Sequence, residues 1–189
     1  MRTHRALYFV AVGYLAICGV IVARSYRPRP AVAPVFSSPG DTWWTRLKPS
    51  CNAVEVEVAM RTSPAPATFD GQAHGAACWA LAGKIDSARA VIDRLPESDR
   101  YRAAGVVFDI AHPIADAGDN RSAGPIMELV IHYWPNHYMA LYHAGMAEFA
   151  TGQLELARQN LTAFLSYYHE NDGWTRSARE TLAQLGATP

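Results

Sequence analysis

Small residues in this chain recur at a fixed interval, and that recurrence limits the fold more than any other feature. Gly118 and Gly152, Ala123 and Ala157, and Ala111 and Gly145 are each 34 positions apart, and Val130 and Ile131 stand in the same register over Phe164 and Leu165. Gly83 and Ala88 precede Gly118 and Ala123 by 35 positions. A unit of about this length cannot bury its apolar face alone, so its copies must stack on one another. Within the units apolar residues return at three and four positions, the period of a helix face. Helices are expected near 42–47, 50–61, 68–82, 85–95, 99–117, 121–133, 137–151, 154–168 and 173–185, with Gly, Pro, Asn or Asp in the short connections. Val54 to Val58 alternates as a strand would, but Ser50 as a cap and the following Ala59-Met60-Arg61 favour a helix there.

The period and the residue order resemble the tetratricopeptide repeat over residues 69–185, with units near 69–103, 104–137 and 138–171 and a closing helix over 173–185. Each repeated position has a physical reason. Gly145 lets the two helices of a unit approach closely, and Gly152 takes the left-handed turn between them. Ala157 is the small contact where the second helix crosses the first. Leu161, Phe164 and Leu165 fill the core, and Pro135 stops one unit's second helix before Asn136 opens the next. Leu141 and Glu148 depart from the family pattern, which has a tryptophan and an aromatic there, and His112-Pro113 is expected to kink the first helix of its unit.

The resemblance implies an all-α fold in which antiparallel helix pairs form a right-handed superhelix. Its concave face, lined by the first helix of each pair, would bind a peptide or a helix of another protein. Phe108, His112, Asp116, Tyr142, Met146 and Phe149 are expected on that face, an aromatic and methionine-rich lining suited to an apolar segment. The alternative is that this stripe packs against neighbouring helices as core. The basic and amide side chains with which some relatives in that family grip a C-terminal carboxylate are missing from these positions.

Ahead of the repeats, Ala6 to Ala23 is an uncharged apolar run of 18 residues, flanked by Arg2 and Arg5 on one side and Arg24, Arg27 and Arg29 on the other. As a helix it would span about 27 Å, close to a bilayer's hydrocarbon core. A cleaved signal peptide has the same order of charge and apolar run, but usually a shorter run ending in a small-x-small site, which Val20-Ile21-Val22-Ala23 fits poorly. The expected order is therefore a basic tail (1–5), a transmembrane anchor (6–23), a proline-rich linker (24–41) and a helical domain (42–189), the domain lying outside the cytoplasm, periplasmic or extracellular. In such a compartment Cys51 and Cys78 can be bridged; the other possibility is two buried free thiols.

Charge and motifs narrow the function. The net charge of zero conceals five arginines and no acid in residues 1–29, which leaves the remainder at 12 basic against 17 acidic side chains. A body of that sign lacks the footprint of a nucleic-acid binder. No HExxH, Gly-x-Ser-x-Gly, phosphate loop or dinucleotide fingerprint occurs. Asp116, Asp119, His112, His132, His137 and His143 are close in sequence, but His132 and His137 flank Pro135 and cannot share a helix face. Neither a metal nor a cofactor is expected, and catalysis is not. The expected role is a membrane-tethered scaffold or assembly factor that holds other proteins. The rival is a structural subunit of an oligomeric membrane complex with no exchangeable ligand, and a metal-dependent enzyme comes third.

Overall fold

A computed structural model of the chain describes Ser38 to Ala187, together with Cys18. The expected tail, anchor and most of the linker lie outside the described residues, Cys18 apart. Among the described residues no helix is long and apolar enough to cross a membrane.

The described residues form nine α-helices and no strand. They are α1 (Pro39–Leu47), α2 (Val56–Thr62), α3 (Phe69–Leu81), α4 (Ile85–Asp93), α5 (Glu97–Asp116), α6 (Asn120–Tyr133), α7 (Tyr138–Ala150), α8 (Leu154–Tyr167) and α9 (Gly173–Ala187). Local chemistry explains most of the starts. Thr68 and Asp119 accept the backbone N–H of Gly71 and Ser122, and Asp172 accepts those of Trp174 and Thr175. α7 is capped by an imidazole: His137 Nδ1 accepts from Ala140 N at 3.2 Å.

The repeated glycines explain three of the ends. Gly83, Gly118 and Gly152 have φ of 72°, 80° and 82°. In each case the glycine N–H bonds back three residues and the next N–H five residues: Lys84 to Trp79, Asp119 to Ile114, Gln153 to Glu148. This is the Schellman closure, which needs a left-handed residue. No atom crowds these glycines, so backbone angle alone demands them. Gly145, whose counterpart in the preceding unit is Ala111, answers to the opposite constraint: a Cβ there would stand 2.7 Å from Leu161 Cγ.

Neighbouring helices pack in sequence, α3 with α4, α5 with α6 and α7 with α8, and α3–α5 and α6–α7 contacts join one pair to the next. Alanines make close approach possible: Ala73, Ala76, Ala88, Ala103, Ala104, Ala123, Ala140 and Ala144 are fully enclosed, with Ile92, Val107, Met127 and Val130 filling the space between. A second cluster, of Leu141, Tyr142, Leu161, Phe164 and Ala178, binds α7 and α8 to α9. Pro113 lies within α5, which continues to Asp116.

The region before the repeats departs most from the expected elements. The residues expected as one helix over 50–61 form a 3-10 turn (Lys48–Ser50), a bend and the short α2. Asn52 directs the bend, since its side-chain oxygen accepts from the N–H of both Val54 and Glu55. The strand alternative fails on burial: Val56 is enclosed while Val54 and Val58 are 87% and 58% exposed. α1 begins three residues earlier than the expected linker boundary because Ser38 and Asp41 cap one another and Pro39 occupies the first turn. Trp43 anchors it, its indole N–H donating to the Ser63 carbonyl, and a Cys51–Cys78 disulfide joins this region to α3.

Candidate functional site

The repeat distance places Phe108 in α5 and Tyr142 in α7 at equivalent positions, yet they meet different surroundings. Tyr142 is enclosed by rings of His143, Phe164 and Trp174, all about 5.1–5.2 Å away between centroids. Met146, one turn on, accepts from Thr181 Oγ1 of α9 at 3.6 Å. This half of the expected binding face is therefore covered by α9. Phe149 is half-buried at the end of α7.

Phe108 instead forms the floor of an open hollow of about 500 Å³, walled by His112, Trp134, His137, Tyr138 and Met139 with Asp109 at its rim. Its ring stacks on His112 and tilts against His137, at 4.6 and 4.1 Å. A run of ring contacts continues across the surface from Tyr101 to Trp134, His137, Tyr138 and Tyr168. Tyr101 and Tyr138 remain 48% and 42% exposed. None of Tyr101, Trp134, Tyr138 and Tyr168 is among the sequence-expected face residues. A signal existed, since Trp134 and Tyr168 follow successive second helices at the same 34-residue interval.

Beside the hollow, α5 and α7 bring three polar side chains together. His112 and Asp116 are one turn apart on α5, and His143 projects from α7. The Nε2 atoms of His112 and His143 lie 3.4 and 3.5 Å from the same oxygen, Asp116 Oδ1. Neither contact is aligned as a hydrogen bond, and both nitrogens are buried without a partner. His143 is 4% exposed. Burial, and secondarily the neighbouring His112, lower its pKa to about 4 against the opposing pull of Asp116, so its imidazole is neutral at pH 7. His137 is also lowered, by burial first. His132 is exposed at the end of α6, and Asp119 serves as the cap of α6, its pKa lowered by its bonds to Ser122.

Glu148 is 2% exposed, and Asn160 of α8 donates its amide to the carboxylate oxygens at 2.7 and 2.9 Å. Burial raises its pKa, against the Asn160 bond. It is an internal tie between α7 and α8 and lies apart from the hollow. No family model, curated protein or solved structure matches this chain.

Proposed function

We propose that this chain is a membrane-tethered, tetratricopeptide-like interaction module that holds an extended segment of another protein against the hollow over Phe108. The observation that carries this reading is the partly exposed aromatic run around a concave, apolar floor. Aromatic rings offer large contact area at low rotamer cost and dominate binding hot spots. Asp109 at the rim and the acidic balance of residues 30–189 favour an apolar anchor flanked by lysine or arginine. The tether rests on the uncharged run from Ala6 to Ala23, and placement outside the cytoplasm is supported by the Cys51–Cys78 bridge, a bond that persists in oxidising compartments.

Capture from detergent-solubilised membranes with the full chain as bait tests the reading. Trp134→Ala and Tyr138→Ala should each weaken partner retention by on the order of 2 kcal/mol while leaving the folded domain intact. Undiminished retention in both variants sinks it. The rival, a permanently buried structural subunit, draws support from the way α9 already covers Tyr142 and Met146. It would be favoured by a bait that retrieves only copies of itself.

A further inference from the structure

We infer that His112, Asp116 and His143 form a binding site for one divalent first-row transition cation, of which zinc is the reference case. The donor atoms, two imidazole Nε2 and one carboxylate oxygen, all lie within 4.8 Å of one another. Zinc bonds to imidazole and carboxylate are about 2.0–2.2 Å, so tetrahedral angles set neighbouring ligand atoms about 3.4 Å apart. The two nitrogen-to-oxygen distances are 3.4 and 3.5 Å, and the donor set as a whole spans up to 4.8 Å, so the two imidazoles would turn towards each other to close on one ion. Those distances serve a shared cation better than they serve hydrogen bonds, and the geometry of both contacts fails as hydrogen bonding.

The burial of His143 is the independent reason. Its Nε2 is enclosed and unpartnered, 3.5 Å from Asp116 Oδ1, whereas buried nitrogens are ordinarily satisfied. A cation supplies the missing partner for this nitrogen and for His112 Nε2 at once. Two imidazoles with one carboxylate select against calcium and magnesium, which take oxygen donors. Asp116 is 43% exposed, which leaves an approach from solvent and an open coordination position. The ligands come from α5 and α7, so a bound ion would clip the first helix of one unit to that of the next. The site departs from the histidine pattern sought in the sequence, because its two histidines belong to different helices.

The test uses the full chain in detergent, without a histidine tag and with Cys18→Ser to remove the free thiol. Zinc titration followed by dialysis and elemental analysis should give one ion per chain, with a rise in Tm. Cobalt at the same site should give the visible absorption of a tetrahedral or five-coordinate ion. Asp116→Ala and His112→Ala alter partly exposed residues, should keep the helical spectrum of the parent, and should weaken zinc binding at least tenfold. His143→Gln is the third variant, read only if its helical spectrum is retained. Failure of the parent chain to bind zinc saturably overturns the inference, as does binding of unchanged affinity in the Asp116→Ala and His112→Ala double variant.

Discussion

Phe108 and Tyr142 occupy the same position in successive units, yet one floors an open hollow and the other is sealed in a cluster. Both are nearly inaccessible as single residues, at 6% and 7% exposed, so burial does not distinguish them. What differs is the next element. Above Tyr142 lies α9, whose Trp174, Ala178 and Leu182 complete an apolar layer. Beside Phe108 the chain leaves α6 through Trp134, Pro135 and Asn136 and returns as α7, so the neighbouring surface is a loop with aromatic walls. An apolar stripe on a repeat helix is thus neither groove nor core by its own sequence; whatever follows it in the stack makes the choice.

The largest expected effect addresses the sealed half. Tyr142→Ala should destabilise the protein by about 3–5 kcal/mol in denaturant titration, the scale of a large buried aromatic removed from a packed site. A loss below about 1 kcal/mol would erase the contrast with the open half. Next comes the region ahead of the repeats: reducing the Cys51–Cys78 bridge should cost about 3–4 kcal/mol in the chain-entropy picture. Thiol labelling of the denatured, unreduced chain should find Cys18 alone reactive, and labelling of all three cysteines would remove the bridge.

Acid should act through the junction of the two halves. His143 is held neutral with a folded pKa of about 4, whereas an unfolded histidine titrates near 6.5. Between these values the unfolded chain binds a proton that the folded chain does not. Stability from this group is therefore complete above about pH 6.5 and declines as pH falls towards 4, by up to about 3 kcal/mol. His143→Gln should flatten that decline in thermal melts of the metal-free protein followed across the interval, and an identical pH profile would show that His143 is not the group responsible.

The smallest effects separate two kinds of glycine. Gly145→Ala should cost about 1–3 kcal/mol through collision with Leu161, and Gly152→Ala about 1–2 kcal/mol through its left-handed backbone. Asparagine discriminates them: it tolerates the left-handed conformation, so Gly152→Asn should be the milder change, while Gly145→Asn should be worse than alanine. Equal losses for the two asparagine variants would contradict this division.

From the repeats onward, every expected helix lies within two residues of an observed one, because apolar period and glycine stops are both local signals. The miss at 50–61 was local too, since one side chain, Asn52, redirected the backbone against the apolar pattern. Ser38-Pro39-Gly40-Asp41 resembles the end of a linker but forms the first turn of α1, and Gly40 is there because a Cβ would strike the backbone at Gly71. That approach between distant segments has no local signature.

Of the hollow, Phe108 and His112 were expected on the binding face while Trp134, Tyr138 and Met139 were not, and the three residues of the histidine–aspartate cluster were each noticed without being grouped. His112 and Asp116 are one helical turn apart, and that spacing was available from sequence. His143 joins them only because α5 and α7 are brought together across the intervening α6, a relation between residues about 30 positions apart that no helical period encodes. The repeat determined by itself that helices would pair, where the left-handed turns fall and where small residues are required, because each follows from backbone angles and contacts inside one unit. Which stripe is covered, which rings meet and which nitrogens are left buried without partners depended on how successive units and the closing helix pack, because burial belongs to the assembled layers and not to any helix alone.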